Sequence, residues 1–485
     1  MHRIAVSHER KEQSGEFQSE APETKAQPAH AFGPPVPGPE RFGHPIGLAF
    51  LFTTEMWERF SYYGMRALLV LYMVDHLLKP ESAATVVGLG ALKGMLETLS
   101  GPLDAQPLAS QIYGLYTGFV YLTPILGGIL ADRWLGRRRT VALGAALMVA
   151  GHFMMASEPL FLFALLLLVV GNGAFKPNIA TQVGGLYAPG DPRRDRAYSI
   201  FYVGINVGAF FSPLVSGTLG ETLGWDFGFA SAGVGMAIGL ATYLVGLPRL
   251  PPDPKRRGGP QPPRRSDADL RRALLGLLLL FLPSALFWAA YEQQGNTIAL
   301  WAESATDRGV DLLIWKGEIP VTWFQAVNPL MIFVMTPPLV AWWARRARLG
   351  QEPPTIDKLW FGCFGVALAY LVMALAAWEC AGAKASWLWL AAYFAVITLG
   401  ELYFSPIALS LVSRIAPERS RSAVMGVWLA TSFTGNLFAG WLGGYWASLP
   451  KVGFFMLVAA IAALAGGLIV ASRGLLRDLL PDGGS

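Results

Sequence analysis

Two cysteines in 485 residues exclude a disulfide-stapled scaffold. Cys363 and Cys380 lie on one expected helix and at its end, in settings too apolar for a metal cluster, and read as packing residues. Charged residues are scarce as well. At 15% charged and 53% hydrophobic, with 16 Trp and a mean hydropathy of +0.42, the composition is that of a polytopic membrane protein. No nucleophile-and-base pair, metal cluster or phosphate-cradling loop stands at a useful spacing, so neither an enzyme nor a cofactor is expected. Residues 1–42 lack an apolar central run, which argues against a cleavable signal. They are polar, charged and Pro-rich, and are expected to form a disordered tail.

What the chain does have is apolar length. About twelve segments approach the ~20 residues needed to cross ~30 Å of hydrocarbon. They run over 45–77, 109–131, 138–157, 160–184, 196–218, 225–247, 272–301, 321–343, 356–378, 386–413, 422–446 and 452–472. An all-α membrane protein is therefore expected.

Glu55, Glu58 and Arg59 sit near the middle of the first segment. A charge at the bilayer centre costs at least ~2.5 kcal/mol, so such residues face a water-filled cavity or an ion path. At ~100° per residue, Glu55, Glu58, Arg59, Tyr62, Tyr63 and Arg66 fall within roughly 140° of arc on one helical face. The bland alternative is an ion-pair network that only locks this helix to its neighbours. Other deep ionisable residues are few: Lys176, Glu292 and Glu401, with His152 as a further polar residue that reads as packing. These seven charged groups comprise four acids and three bases, so one proton neutralises the set.

Lys and Arg set the orientation. With the N-terminus inside, the cytoplasmic loops and C-terminal tail hold 24 of them, against six in the opposite loops. The positive-inside rule then places both termini in the cytoplasm and explains the net charge of +5 without a nucleic-acid partner. The Pro- and Arg-rich stretch Pro248 to Asp269 divides the spans six and six, the pattern of a two-bundle transporter. Its 22 residues, seven of them Pro, are too short for an inserted helical hairpin. The expected units are a tail at 1–42, a first bundle at 43–247, a linker at 248–271, a second bundle at 272–474 and a tail at 475–485. A faint repeat supports the division: Thr123-Pro124-Ile125-Leu126 and Thr336-Pro337-Pro338-Leu339 are offset by 213 residues, each leading into a basic loop.

Several stretches resemble known motifs. Gly127-Gly128-Ile129-Leu130-Ala131-Asp132-Arg133-Trp134-Leu135-Gly136-Arg137-Arg138 is similar to the loop between helices two and three of major facilitator superfamily transporters. Glu55-Met56-Trp57-Glu58-Arg59-Phe60-Ser61-Tyr62-Tyr63-Gly64 resembles the helix-one signature of the proton-coupled oligopeptide transporters, the POT or PTR family. Gly171-Asn172-Gly173-Ala174-Phe175-Lys176-Pro177-Asn178, Phe201-Tyr202-Val203-Gly204-Ile205-Asn206-Val207-Gly208 and Gly400-Glu401-Leu402-Tyr403-Phe404-Ser405-Pro406 resemble that family's motifs on helices four, five and ten.

The resemblance implies a major facilitator fold of twelve transmembrane helices in two six-helix bundles, and symport of di- and tripeptides with protons by a monomer in a bacterial inner membrane. Animal relatives carry a histidine on helix two, where this chain has Gly114, and a large domain between helices nine and ten that it lacks.

A short peptide is a zwitterion with ends about 4 to 9 Å apart at ~3.3 Å per residue. Arg59, Arg66 and Lys176 suit its carboxylate, and Glu401 its ammonium. The resemblance adds Tyr62, Tyr63, Asn206, Asn328, Trp428 and Ser432 as cavity lining, although Asn206 and Asn328 equally suit interhelical hydrogen bonds. Glu55, Glu58 and Arg59 are the expected proton-coupling group, and Arg66, Lys176, Glu292 and Glu401 the expected gates. Two alternatives stay open: transport of another small anion such as nitrate, and a non-transporting receptor on the same fold. An ammonium-binding carboxylate has no use in the first, and loss of the cavity charges would mark the second.

Overall fold

A computed structural model describes residues 39–188, 191–253, 267–312, 315–415 and 421–480. Twelve long helices account for most of them. They are α1 (Ile46–Tyr72), α2 (Ala105–Leu130), α3 (Arg137–Met154), α4 (Phe161–Gly185), α5 (Arg193–Ser212) and α6 (Trp225–Gly246). The second half supplies α7 (Asp267–Tyr291), α8 (Trp323–Arg348), α9 (Thr355–Glu379), α10 (Trp387–Ile415), α11 (Arg421–Gly443) and α12 (Lys451–Ala471).

Among the described residues, nine helices are long and apolar enough to cross a membrane. The three others carry their polarity visibly. Four charges interrupt α1, three arginines open α3, and Thr431, Ser432, Thr434 and Asn436 line one stretch of α11. Strands are confined to short pairs, such as Gly309–Leu312 with Trp315–Glu318.

Contacts sort the helices into two halves. In the first, α1 packs on α5 and α6, and α4 on α2 and α3; in the second, α7 packs on α11 and α12, and α9 on α10 and α12. The seam between them is formed by α2 with α11 and by α5 with α8. The two Thr-Pro repeats fall inside α2 and α8, the second helix of each half.

Three expected boundaries shift. Residues 40–42 belong to an ordered turn, because Glu40–Arg41 pairs with His44–Pro45 and Glu40 bonds Arg193 at 2.8 Å. The start of the linker is strapped down: Asp253 accepts the Arg137 and Arg138 backbone N–H groups at 2.8 and 3.2 Å, satisfying orphan donors at the start of α3. The expected C-terminal tail begins as a short helix, Arg473–Leu479, whose Arg477 reaches Asp357 at 3.2 Å. Residues 1–38, 254–266 and 481–485 lie outside the described residues.

Small residues decide how closely the helices approach. A Cβ on Gly208 would stand 2.2 Å from the Met56 carbonyl, and one on Gly204 2.9 Å from the Phe52 ring. The i, i+4 glycines of the α5 motif therefore let its backbone lie against α1. Gly127 meets the Gly173 carbonyl in the same way, seating α2 on α4. Large apolar side chains such as Leu166, Leu278, Val334, Leu368 and Trp378 are exposed, as expected where hydrocarbon is the solvent.

Candidate functional site

The charges of α1 are buried, and the structure shows what each one meets. Arg59 donates through Nη2 to Glu58 at 2.7 Å and through Nε to the other oxygen of the same carboxylate. Asn172, from the α4 motif, donates a further bond to Glu58 at 3.0 Å. Glu58 is thus a fully engaged carboxylate, held by a bidentate guanidinium and an amide. Glu55 is different. One of its oxygens lies 3.3 Å from Arg59, and the other is buried with no hydrogen-bond partner. A buried carboxylate oxygen without a partner sets Glu55 apart from the fully engaged Glu58.

Two turns beyond Arg59, Arg66 donates to Tyr113 at 2.8 Å and to Glu292 at 2.5 Å. Glu292 comes from the turn after α7, so this buried ion pair joins the two halves. Other bonds cross the seam on the same side of the molecule, the face away from the basic loops. Ser110 bonds Asn296 at 2.9 Å, and Glu221 accepts the backbone N–H of Val321 and Thr322 at 2.8 and 2.9 Å. Trp323 donates to Thr218 at 2.8 Å.

A cavity of about 260 Å³ lies on the basic-loop side of these bonds. From the first half it is lined by Glu55, Arg59, Tyr63, Arg66, Lys176 and Asn206, and from the second by Glu292, Asn328 and Glu401. Asn328 donates to Glu401 at 2.9 Å and to Thr398 at 2.9 Å. Lys176 sits 5.0 Å from the centre of the Tyr121 ring, a cation–π distance. Among the described residues, neither Lys176 nor Glu401 forms an ion pair, and the two do not pair with each other. The site thus holds an unpaired cation on one wall and an unpaired acid on the other.

Three helices that carry these groups are interrupted by proline. Pro177 follows Lys176, Pro329 follows Asn328, and Pro406 lies one turn beyond Glu401. Each removes a backbone donor and frees a carbonyl four residues earlier, tolerable at membrane depth where the helix borders a cavity.

Some expected lining residues face elsewhere. Tyr62 is buried behind the site, with its ring 5.3 Å from the Arg59 guanidinium and stacked on Tyr116 at 6.5 Å. A single step of ~100° along the helix separates it from Tyr63, which does line the cavity. Trp428 and Ser432 are 5% and 2% exposed and do not line the cavity. The face of α11 is pressed on α2 and α7, with Phe433 against Phe119 and Gly435 against Trp288. Asn206 lines the cavity while its amide bonds its own helix, at the Tyr202 carbonyl. His152 is buried as expected, but its Nδ1 lacks a partner. A side chain at Gly114 has no room, since its Cβ would meet the Asn436 carbonyl at 2.6 Å.

Tyr121, Tyr202, Trp288, Tyr291 and Gln325 are among the further lining residues that the sequence reading does not single out. Tyr202 stands inside the α5 motif and Tyr291 directly precedes Glu292, so adjacency to the motifs was the available signal.

Comparison with known proteins agrees with this geometry. The sequence profile of the POT family matches residues 138–258 and 263–461. A peptide transporter of Yersinia enterocolitica is 35% identical over 476 residues, covering 83% of this chain and 88% of that protein. A di-/tripeptide transporter of Lactococcus lactis subsp. cremoris is 32% identical over 506 residues, covering 91% and 97%. The crystal structure of a variant of a peptide transporter in complex with alafosfalin superposes with a TM-score of 0.78 at 29% identity, covering 92% of this chain and 98% of that one. Both the motif-bearing helices and these whole-length matches place the protein in the major facilitator fold, and the chain belongs to the POT family.

Proposed function

We propose that this protein imports di- and tripeptides together with protons, by alternating access of its two bundles. The observation that carries this reading is the polarised cavity: among the described residues neither Lys176, beside Arg59 on the first half, nor Glu401, held by Asn328 on the second, has an ion-pair partner. A zwitterion spans that arrangement, with its carboxylate towards Lys176 and Arg59 and its ammonium towards Glu401. Tyr63, Asn206 and Asn328 then border the peptide backbone between them.

Charge counting supplies the coupling. Glu55 and Glu58 balance Arg59 and Lys176, and Glu292 balances Arg66, which leaves Glu401 as the uncompensated acid until an ammonium arrives. The peptide carboxylate adds one negative charge to the α1–α4 side, and a proton on Glu55 restores neutrality. Peptide and proton therefore each favour the binding of the other, by a coupling of order 1–3 kcal/mol. Arg66 and Glu292 act as the gate on the far face. Lys176 and Glu401, drawn together around a peptide or directly, act as the gate towards the basic loops.

The 24 basic residues of one face support a cytoplasmic location for that face and for both termini. A tag placed in the linker between residues 254 and 266 is expected to react only after a bacterial inner membrane is permeabilised. Labelling of intact spheroplasts would overturn this orientation.

Nitrate or a related anion is the rival substrate, and Glu401 argues against it, since a simple anion gains nothing from a facing carboxylate. The test is uptake by purified protein in liposomes, challenged with labelled dialanine, nitrate and a sugar. Accumulation of dialanine alone, dependent on an inward proton gradient, is the expected result. Accumulation of nitrate, or of none of the three, would reject peptide symport.

A further inference from the structure

A second pocket, of about 220 Å³, opens at the α5–α8 seam and shares no lining residue with the charged cavity. Phe210 and Leu214 form one wall, Trp323 and Val327 another, and Trp387 and Ala391 of α10 a third. Its walls are apolar throughout, and around it Phe211, Val215 and Leu388 are exposed, so the pocket is continuous with the apolar belt of the protein. Trp323 and Trp387 open their helices, at the level where aromatic side chains mark the membrane interface. Along α8 the lining runs from Trp323 to Leu330, roughly 10 Å at 1.5 Å per residue, which stays within one leaflet of a ~30 Å core.

A peptide segment laid here would leave its backbone groups unsatisfied, and a polar solute finds nothing to bond. A hydrocarbon chain has no such penalty. We propose that this pocket binds one acyl chain of a phospholipid from the leaflet on the face away from the basic loops.

Both halves of the protein supply its walls, and the Trp323–Thr218 and Glu221–Thr322 bonds lie beside it. A chain bound here bridges the seam and favours the arrangement in which α5 and α8 are closed, because separating them removes the site. The two faces of the α5–α8 pair thus serve different ligands, a polar one inside and an apolar one outside.

The probe is a phosphatidylethanolamine carrying a diazirine midway along one acyl chain, added in trace amount to vesicles of phosphatidylethanolamine and phosphatidylglycerol holding the full-length protein. After irradiation, adducts are mapped by mass spectrometry. Adducts on 210–214 and 323–330 are expected several-fold above those on the lipid-facing stretch 361–368 of α9, and Ala391→Phe, which fills the pocket from its rim, removes the excess. Val327→Trp serves the same purpose from the opposite wall should the first variant fail to fold. Adducts spread evenly over all lipid-facing segments, or an excess that persists in a folded pocket-filling variant, would overturn the proposal.

Discussion

Replacing Glu55 by Gln is expected to abolish accumulation of dialanine against its gradient while exchange of labelled for unlabelled dialanine continues. Exchange needs binding and rocking of the bundles but no net proton movement, and Gln mimics the neutral acid. The geometry separates this variant from its neighbour. Glu55 touches Arg59 through one oxygen only, whereas Glu58 engages it through both and also accepts from Asn172. Glu58→Gln leaves a buried guanidinium short of its partner, a loss in the range of about 3–5 kcal/mol, so both accumulation and exchange are expected to fail. The two assays, run side by side in liposomes, distinguish the roles. If Glu55→Gln still concentrates peptide, Glu55 does not carry the proton; if Glu58→Gln does so too, helix α1 does not carry it and Glu292 or Glu401 becomes the better candidate.

Blocking either end of the substrate is expected to be nearly as damaging. An N-acetyl group removes the ammonium that Glu401 faces, and an amide removes the carboxylate that Lys176 and Arg59 face. Either leaves a buried charge unpaired, at about 2 to 5 kcal/mol, or tens- to thousands-fold in apparent affinity. Glu401→Gln then supplies the internal control. It should weaken free dialanine much more than N-acetyl-dialanine, because the variant has no carboxylate left to strand. Competition against labelled dialanine, with the free, acetylated and amidated forms in both proteins, measures this. Equal potency of all three in the unmodified protein would show that the cavity does not read a zwitterion.

The twelve-helix architecture was legible in the sequence because hydrocarbon demands apolar runs of a set length, and the α1 stripe because charge at mid-membrane has few innocent explanations. Partnerships were less accessible. Sequence spacing places Arg66 on the polar face of α1 but cannot show that Glu292, 226 residues away, closes on it. The four-to-three count of acids and bases could be made from the sequence, yet only the fold shows which of them meet: Arg59 with Glu55 and Glu58, and Arg66 with Glu292. Spacing places Tyr62 near the middle of the polar arc and Tyr63 at its edge, yet Tyr63 lines the cavity and Tyr62 stacks on Tyr116, because the packing of α2 against α1 decides which side of the arc is open. Trp428 and Ser432 share a face of α11, as their spacing requires, but both are buried and neither borders the cavity. The ordered ends of the two tails were hidden because they rest on long-range contacts, Glu40 with Arg193 at one end and Arg473 and Arg477 with Asp357 at the other, that neither composition nor periodicity reports.

Coupling of peptide to proton is tested most directly by the proton movement that peptide entry drives. Vesicles holding the protein and a luminal pH dye, clamped negative inside with potassium and valinomycin and without an imposed pH difference, receive dialanine from outside. The lumen is expected to acidify on addition of dialanine, not on addition of nitrate or sugar, and to stay unchanged with Glu55→Gln. Entry of dialanine without any movement of luminal pH would contradict proton symport.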